Sequence, residues 1–318
     1  MNRIWRLAVG IVVSGILLWL SLRDVSVEAV VASLRSAHAG LLAAALGVTL
    51  VRLWASALRW QILLAPHRVV GVWPLFALSA IGVMANAVVP VRAGEVLRAA
   101  LLGARTALPT TLCLATILIE RLLDAIALGV LLFLALPFVA LPFWVIRVGG
   151  TALLLALGLL GGLLWIEQGG GNTLAGRLLD RLPMAAPVRE RCRSVLRSFR
   201  AGLGVLAQAG GLLRVSLYSA AIWALGALGT YLVAKSLDLS VSIPAAVVVL
   251  VVLTIGLTVP SAPGFVGTLQ FFSVVALGLF GVPRSEAFSF SVLIHATQLL
   301  PLVLLGALFF WREGAGRI

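Results

Sequence analysis

Lysine, cysteine and histidine are nearly missing from this chain, and acidic residues are few. Its 318 residues hold 2 cysteines, 3 histidines, 11 aspartates and glutamates, and one lysine, Lys235. Cys113 sits in an apolar segment and Cys192 in a basic one, so neither a disulfide framework nor metal-ligand spacing exists. His38, His67 and His295 are scattered without a zinc pattern. There is no glycine loop ending in Gly-Lys-Ser/Thr and no Gly-x-Ser-x-Gly elbow. These gaps exclude the common nucleotide-hydrolysing, zinc-dependent and serine-hydrolase sites, and nothing points to a cofactor or to nucleic acid.

Apolar residues fill the space instead. They make up 62% of the chain, and the mean hydropathy of +1.15 leaves no soluble reading. Unbroken Leu/Ala/Val runs long enough for a hydrocarbon core of about 30 Å recur throughout, unlike the ten-residue alternating strands of a barrel. The expected class is all-α, a polytopic helical membrane protein forming one integral domain. Candidate spans are 4–22, 41–65, 110–136, 142–166, 212–236 and 286–311. The first resembles a signal peptide, but no small-residue cleavage site follows Leu22, so it reads as an uncleaved span. Two further stretches, 74–106 and 243–282, are interrupted by proline and glycine.

Charge sets the expected orientation. The segment 167–211 is rich in arginine, which places it in the cytoplasm by the positive-inside rule. Within it Val188, Cys192, Val195, Phe199, Leu203 and Leu206 recur at helical spacing beside an arginine face, the pattern of an interfacial amphipathic helix. With both termini cytoplasmic, parity makes 74–106 a re-entrant hairpin bent at Pro90–Gly94. The second break, Pro260-Ser-Ala-Pro-Gly264, repeats its Pro-x-x-x-Gly spacing. Paired breaks in two halves point to inverted repeats around a central site. Whether 243–282 is a hairpin or two full spans stays open.

Several charges fall inside these segments, where each costs about 2.5–3.5 kcal/mol at the bilayer centre and so marks a pairing or a polar path. Asn86, Pro90, Arg92, Gly94, Glu95 and Arg98 surround the first break. A half-helix starting at Gly94 would aim free N–H groups at the midplane, an anion site, with Arg92 and Arg98 as guanidinium donors. Glu95 and Arg98, three apart, are expected to pair. The other reading is a structural ion-pair knot. Glu120, Arg121 and Asp124 form a second group, with Arg52 as its expected compensating partner; it either relays protons or fixes packing. Arg59, nearer a helix end, is expected to snorkel to the interface. His295 and Gln298 share a face of the last span, and the uncharged Pro260, Pro263 and Gly264 would bind through backbone and helix termini.

The sequence Asn86-x-x-x-Pro90-x-Arg92-x-Gly94-Glu95-x-x-Arg98, then Glu120-Arg121-x-x-Asp124, then Pro260-x-x-Pro263-Gly264-x-x-Gly267 resembles the transmembrane domain of the lysylphosphatidylglycerol synthase/flippase family. Arg59-Trp60 also fits that pattern. The resemblance covers about residues 5–312 and implies a lipid flippase-like fold with inverted repeats and re-entrant helices. The family's acidic residue after the second Pro-Gly motif is not evident; Thr268, Leu269 and Gln270 stand there. The sequence ends at Ile318 without the soluble synthase domain of aminoacylating members, so aminoacylation is not expected.

The leading expectation is a non-enzymatic translocase of the cytoplasmic membrane. It would move a phospholipid or lipid-linked headgroup, anionic or phosphate-bearing, with a separate lipid-modifying enzyme as a possible partner. The alternatives are a membrane enzyme or subunit acting on a polyprenyl-phosphate or phospholipid, in a glycolipid or hopanoid pathway, and a non-transporting assembly factor.

Overall fold

The computed structural model describes residues 3–89, 93–167, 185–204, 206, 209–259 and 261–314. Its secondary structure is helical: α1 (Arg3–Leu22), α2 (Val27–Ser36), α3 (Ala39–Leu64), α4 (Val72–Val88), α5 (Gly94–Thr106), α6 (Thr110–Ala135), α7 (Phe143–Glu167), α8 (Ala186–Leu203), α9 (Ala209–Ser236), α10 (Ile243–Gly256), α11 (Thr268–Gly278), α12 (Arg284–Ile294) and α13 (Leu300–Gly314). A π-helical turn, His295–Leu299, joins α12 to α13.

Among the described residues, four stretches are long and apolar enough to cross a membrane: Ala39–Leu64, Phe143–Trp165, Gly210–Ser236 and Arg284–Arg312. A fifth, α1 with α2, bends by 85°. Ser26 fixes that bend, its Oγ accepting from the Ala29 N–H at the start of α2. The short helix α2 has no counterpart among the expected spans. The helix α6 is equally long, 26 residues, but carries Glu120, Arg121 and Asp124 at its middle. Large apolar side chains on α1 and α7 face outward, among them Trp19, Leu154 and Leu155. Such surfaces are stable against lipid and not against water.

The order of elements occurs twice. A long helix, a short one, a break, a second short one and a long one run as α3–α4–α5–α6, of 26, 17, 13 and 26 residues. The same order returns as α9–α10–α11, of 28, 14 and 11 residues, followed by the 29-residue run Arg284–Arg312. The two leading helices, α3 and α9, pack along each other, and α13 packs on α4 across the two blocks. At 1.5 Å per residue α4 and α5 are about 25 and 20 Å long, each short of the hydrocarbon core. They form an antiparallel hairpin, and α10 and α11 form another.

Of the basic segment 167–211, residues 168–184 lie outside the described residues, as do the side chains of Val195 and Phe199. Leu203 and Leu206 are buried, in a cluster with Leu63, Ile119, Leu123 and Leu160. The helix α8 packs on α6 and α7, and the Ala201 carbonyl lies 3.0 Å from Nε2 of His67.

Candidate functional site

The first break is closed by one asparagine. Proline cannot continue a helix and biases the residue before it away from helical geometry, so α4 stops at Val88. Asn86 Oδ1 accepts from the Gly94 N–H at 2.8 Å, and its Nδ2 donates to Glu95 Oε2 at 3.2 Å. The first free N–H of α5 is thereby occupied. A side chain at Gly94 would strike the Gly82 carbonyl and the Asn86 amide, so the hairpin closes only with glycine there. Pro90 and Arg92, expected to bend the hairpin and to hold an anion, lie outside the described residues.

Arg98 does not take Glu95 as its ion-pair partner, as the spacing had suggested. It pairs with Glu120 of α6. Glu120 is fully buried, whereas Glu95 is partly exposed, so the desolvated carboxylate holds the guanidinium more strongly. Arg98 also lies 4.5 Å from the centroid of the Trp60 ring, whose Nε1 donates to Thr116 Oγ1 at 3.0 Å.

Arg59 overturns a second expectation. It does not snorkel: it is 1% exposed and stands at the centre of the bundle. Its Nη1 donates to Asp124 Oδ1 at 2.6 Å and to Ser219 Oγ at 2.9 Å, and its Nε lies 3.6 Å from Glu120 Oε1. Trp223 Nε1 donates to the same Asp124 oxygen at 3.0 Å, and Arg121 Nη2 approaches Asp124 Oδ2 at 3.5 Å. One cluster thus joins α3, α5, α6 and α9. A signal for it was present: Arg52 and Arg59 are seven apart, two helical turns, and so share a face of α3.

Two buried arginines, Arg59 and Arg98, balance two buried carboxylates, Glu120 and Asp124. Arg52, expected to compensate the cluster, is therefore surplus to it. Among the described residues no ion pair within 4 Å and no hydrogen bond holds its guanidinium; Asp124 attracts it only from farther away. Arg52 instead lines a cavity of about 450 Å³, together with Arg121, Asp124, Trp223 and Gln298. The rest of that wall is mostly apolar, from Leu128, Leu132, Leu250, Leu253 and Leu269. Both blocks contribute, α3 and α6 from the first and α9 to α12 and the π turn from the second, with α7 adding Gly149 and Ala152.

The second break reaches this cavity through Phe265, whose φ of 58° is costly for a bulky residue. Its neighbours Gly264 and Gly267 also have positive φ, 73° and 85°. Pro263 and Gly264 form the turn but are not in the wall, and Pro260 lies outside the described residues. Two backbone donors of this turn are engaged by side chains. Ala262 N–H donates to Ser14 Oγ of α1 at 2.7 Å, and Gly267 N–H donates to Gln270 Oε1 at 2.7 Å. Gln270 Nε2 in turn lies 3.4 Å from His295 Nδ1. The sequence offers no signal for Ser14, and it marks Gln298 only as sharing a face with His295.

A family model for the lysylphosphatidylglycerol synthase transmembrane region matches residues 7–306, spanning both breaks, the ion-pair cluster and the cavity. The chain belongs to that family. Within the lysylphosphatidylglycerol synthase transmembrane-region family it is a multi-pass membrane protein of lipid-related character. No curated protein and no solved structure matches it.

Proposed function

We propose that this protein is a lipid translocase of the cytoplasmic membrane, moving a phospholipid or lipid-linked headgroup between leaflets. The observation that carries the reading is the cavity between the two blocks. It combines apolar walls with arginine at membrane depth, the chemistry of an amphiphile with charged head and apolar tail. Broken helices at depth, tolerated where backbone is buried or lines a cavity, support the same reading. The two buried carboxylates, Glu120 and Asp124, are held in ion pairs by Arg98 and Arg59 rather than poised for acid–base work, which favours transport over a membrane enzyme. In the topology that goes with this function, both termini and the α8 segment are cytoplasmic and α4–α5 is a hairpin entered from that side. A separate lipid-modifying enzyme would supply or consume the lipid.

The test is reconstitution in vesicles carrying a fluorescent phospholipid in both leaflets. Protein-dependent exposure of the inner-leaflet pool to an impermeant quencher is expected, and a rate equal to that of protein-free vesicles for every lipid tried would overturn the reading.

A further inference from the structure

We propose that Arg52 and Gln298 form the seat of a phosphodiester oxyanion, so that the cavity selects lipids whose headgroup is net negative. The inference rests on the translocase reading for its lipid source and on the cavity for its chemistry.

The charge balance comes first. The four cluster charges cancel, and both oxygens of Asp124 are taken, Oδ1 by Arg59 and Trp223 and Oδ2 by Arg121. What remains toward the cavity is positive: Arg52, and the outward half of Arg121, whose side chain is 49% exposed. An unpaired guanidinium at this depth is costly, and an entering anion would supply the missing partner.

A second donor side chain lines the same cavity. Gln298 Nε2 is buried and has no hydrogen-bond partner among the described residues, although it belongs to a cavity-lining side chain. The π-helical turn at 295–299 holds it there, the kind of local widening often found at functional sites. Two glycines three apart on α9 make room for both groups. A Cβ on Gly226 would lie 3.1 Å from Arg52 Nη1, and one on Gly229 would lie 3.2 Å from Gln298 Nε2. Guanidinium and amide N–H groups suit the oxygens of a phosphodiester. A cationic aminoacyl headgroup would instead bring ammonium groups against Arg52 and Arg121, with no free carboxylate among the described residues of the wall to receive them.

Binding of a fluorescent phosphatidylglycerol to the purified full chain in detergent tests this without requiring movement. Unlabelled phosphatidylglycerol should compete at least about 10-fold better than phosphatidylcholine or lysylphosphatidylglycerol. Arg52→Met should weaken phosphatidylglycerol binding at least about 30-fold, the size expected for truncating one partner of a buried charge pair. Gln298→Leu should weaken it several-fold, with elution and melting of the protein unchanged. If Arg52→Met fails to fold, the lipid selectivity of the parent and Gln298→Leu decide the matter. Competition by inorganic phosphate as effective as that by phosphatidylglycerol would make free phosphate the ligand and overturn the lipid assignment. Equal competition by phosphatidylcholine, or parent-like binding by both variants, would overturn the oxyanion seat. Selective binding with no transport of any lipid would sink the translocase reading and keep this one. Equal transport of charged and neutral lipids, undisturbed in Arg52→Met, would do the reverse.

Discussion

Arg59 and Asp124, 65 residues apart, meet at 2.6 Å in the interior of the bundle and bind α3 to α6. Arg98 and Glu120 do the same for α5 and α6. Burying four charges costs several kcal/mol per ion, and the attraction repays it only with every partner in place. The cluster is expected to act as a unit, a lock between the first hairpin and the long helices.

That lock can be tested at Arg59. Arg59→Met leaves Asp124 and Glu120 short of one positive charge and should cost about 3–5 kcal/mol. Arg59→Lys cannot donate to Asp124 and Ser219 while keeping charge beside Glu120 in the same fork, and should also lose stability. Pairing Arg59→Met with Asp124→Asn should recover part of the loss, because charges in contact couple by about 0.5–3 kcal/mol. Thermal melting in detergent, followed by elution profile, measures the cycle. Simple additivity of the two substitutions would refute the coupling.

The hairpin break makes a graded prediction. Asn86→Ala removes the acceptor of the Gly94 N–H and the donor to Glu95, and should cost about 1 kcal/mol, as for the loss of an N-cap. Gly94→Ala drives a methyl group into the Gly82 carbonyl, which as backbone cannot swing aside; overpacking of that kind costs about 1–3 kcal/mol or more. The expected order of melting temperature is parent, then Asn86→Ala, then Gly94→Ala. A Gly94→Ala protein as stable as the parent would show that α4 and α5 do not approach this closely.

Topology is tested by labelling. In a background with Cys113 and Cys192 replaced by serine, single cysteines at Gly71 and Pro109, exposed positions flanking α4–α5, should both react only from the cytoplasmic side. Reaction from opposite sides would replace the re-entrant hairpin with a crossing.

What the sequence disclosed follows from what it encodes locally. Long apolar runs announce helices, and Pro90 with Gly94 marks the interruption between Val88 and Gly94. Charges within those runs mark the interior of the bundle because lipid penalises them. Partner choice was less legible. Helical spacing nominated Glu95 for Arg98, yet α6 delivers Glu120, a contact 22 residues away that depends on how two helices cross. Arg59 was read by its distance from a helix end, when the face it shares with Arg52 was the better guide. The cavity was not visible at all as a site, since most of its wall consists of ordinary apolar residues drawn from seven helices, the second break and the π turn. Gln298 gains its meaning from one π-helical turn that no local pattern announces.

The least conspicuous element in the sequence makes the last prediction. The apolar run of α1 conceals Ser14, which holds the second break from outside: its Oγ accepts from Ala262 N–H at 2.7 Å, and its carbonyl presses on Gly267. Ser14→Ala leaves that amide without an acceptor in a partly buried site, a loss of about 1–3 kcal/mol. Ser14→Thr keeps the hydroxyl and should melt close to the parent. Gly267→Ala should be the most damaging of the three, because its φ of 85° disfavours any side chain and the added methyl would meet the Ser14 carbonyl. Since Phe265 of the same turn lines the cavity, loosening this clamp should also alter lipid binding, whereas a purely peripheral α1 would change melting alone. Melting and phosphatidylglycerol affinity measured on all three variants separate these outcomes. Parent-like values for Ser14→Ala in both would remove α1 from the site.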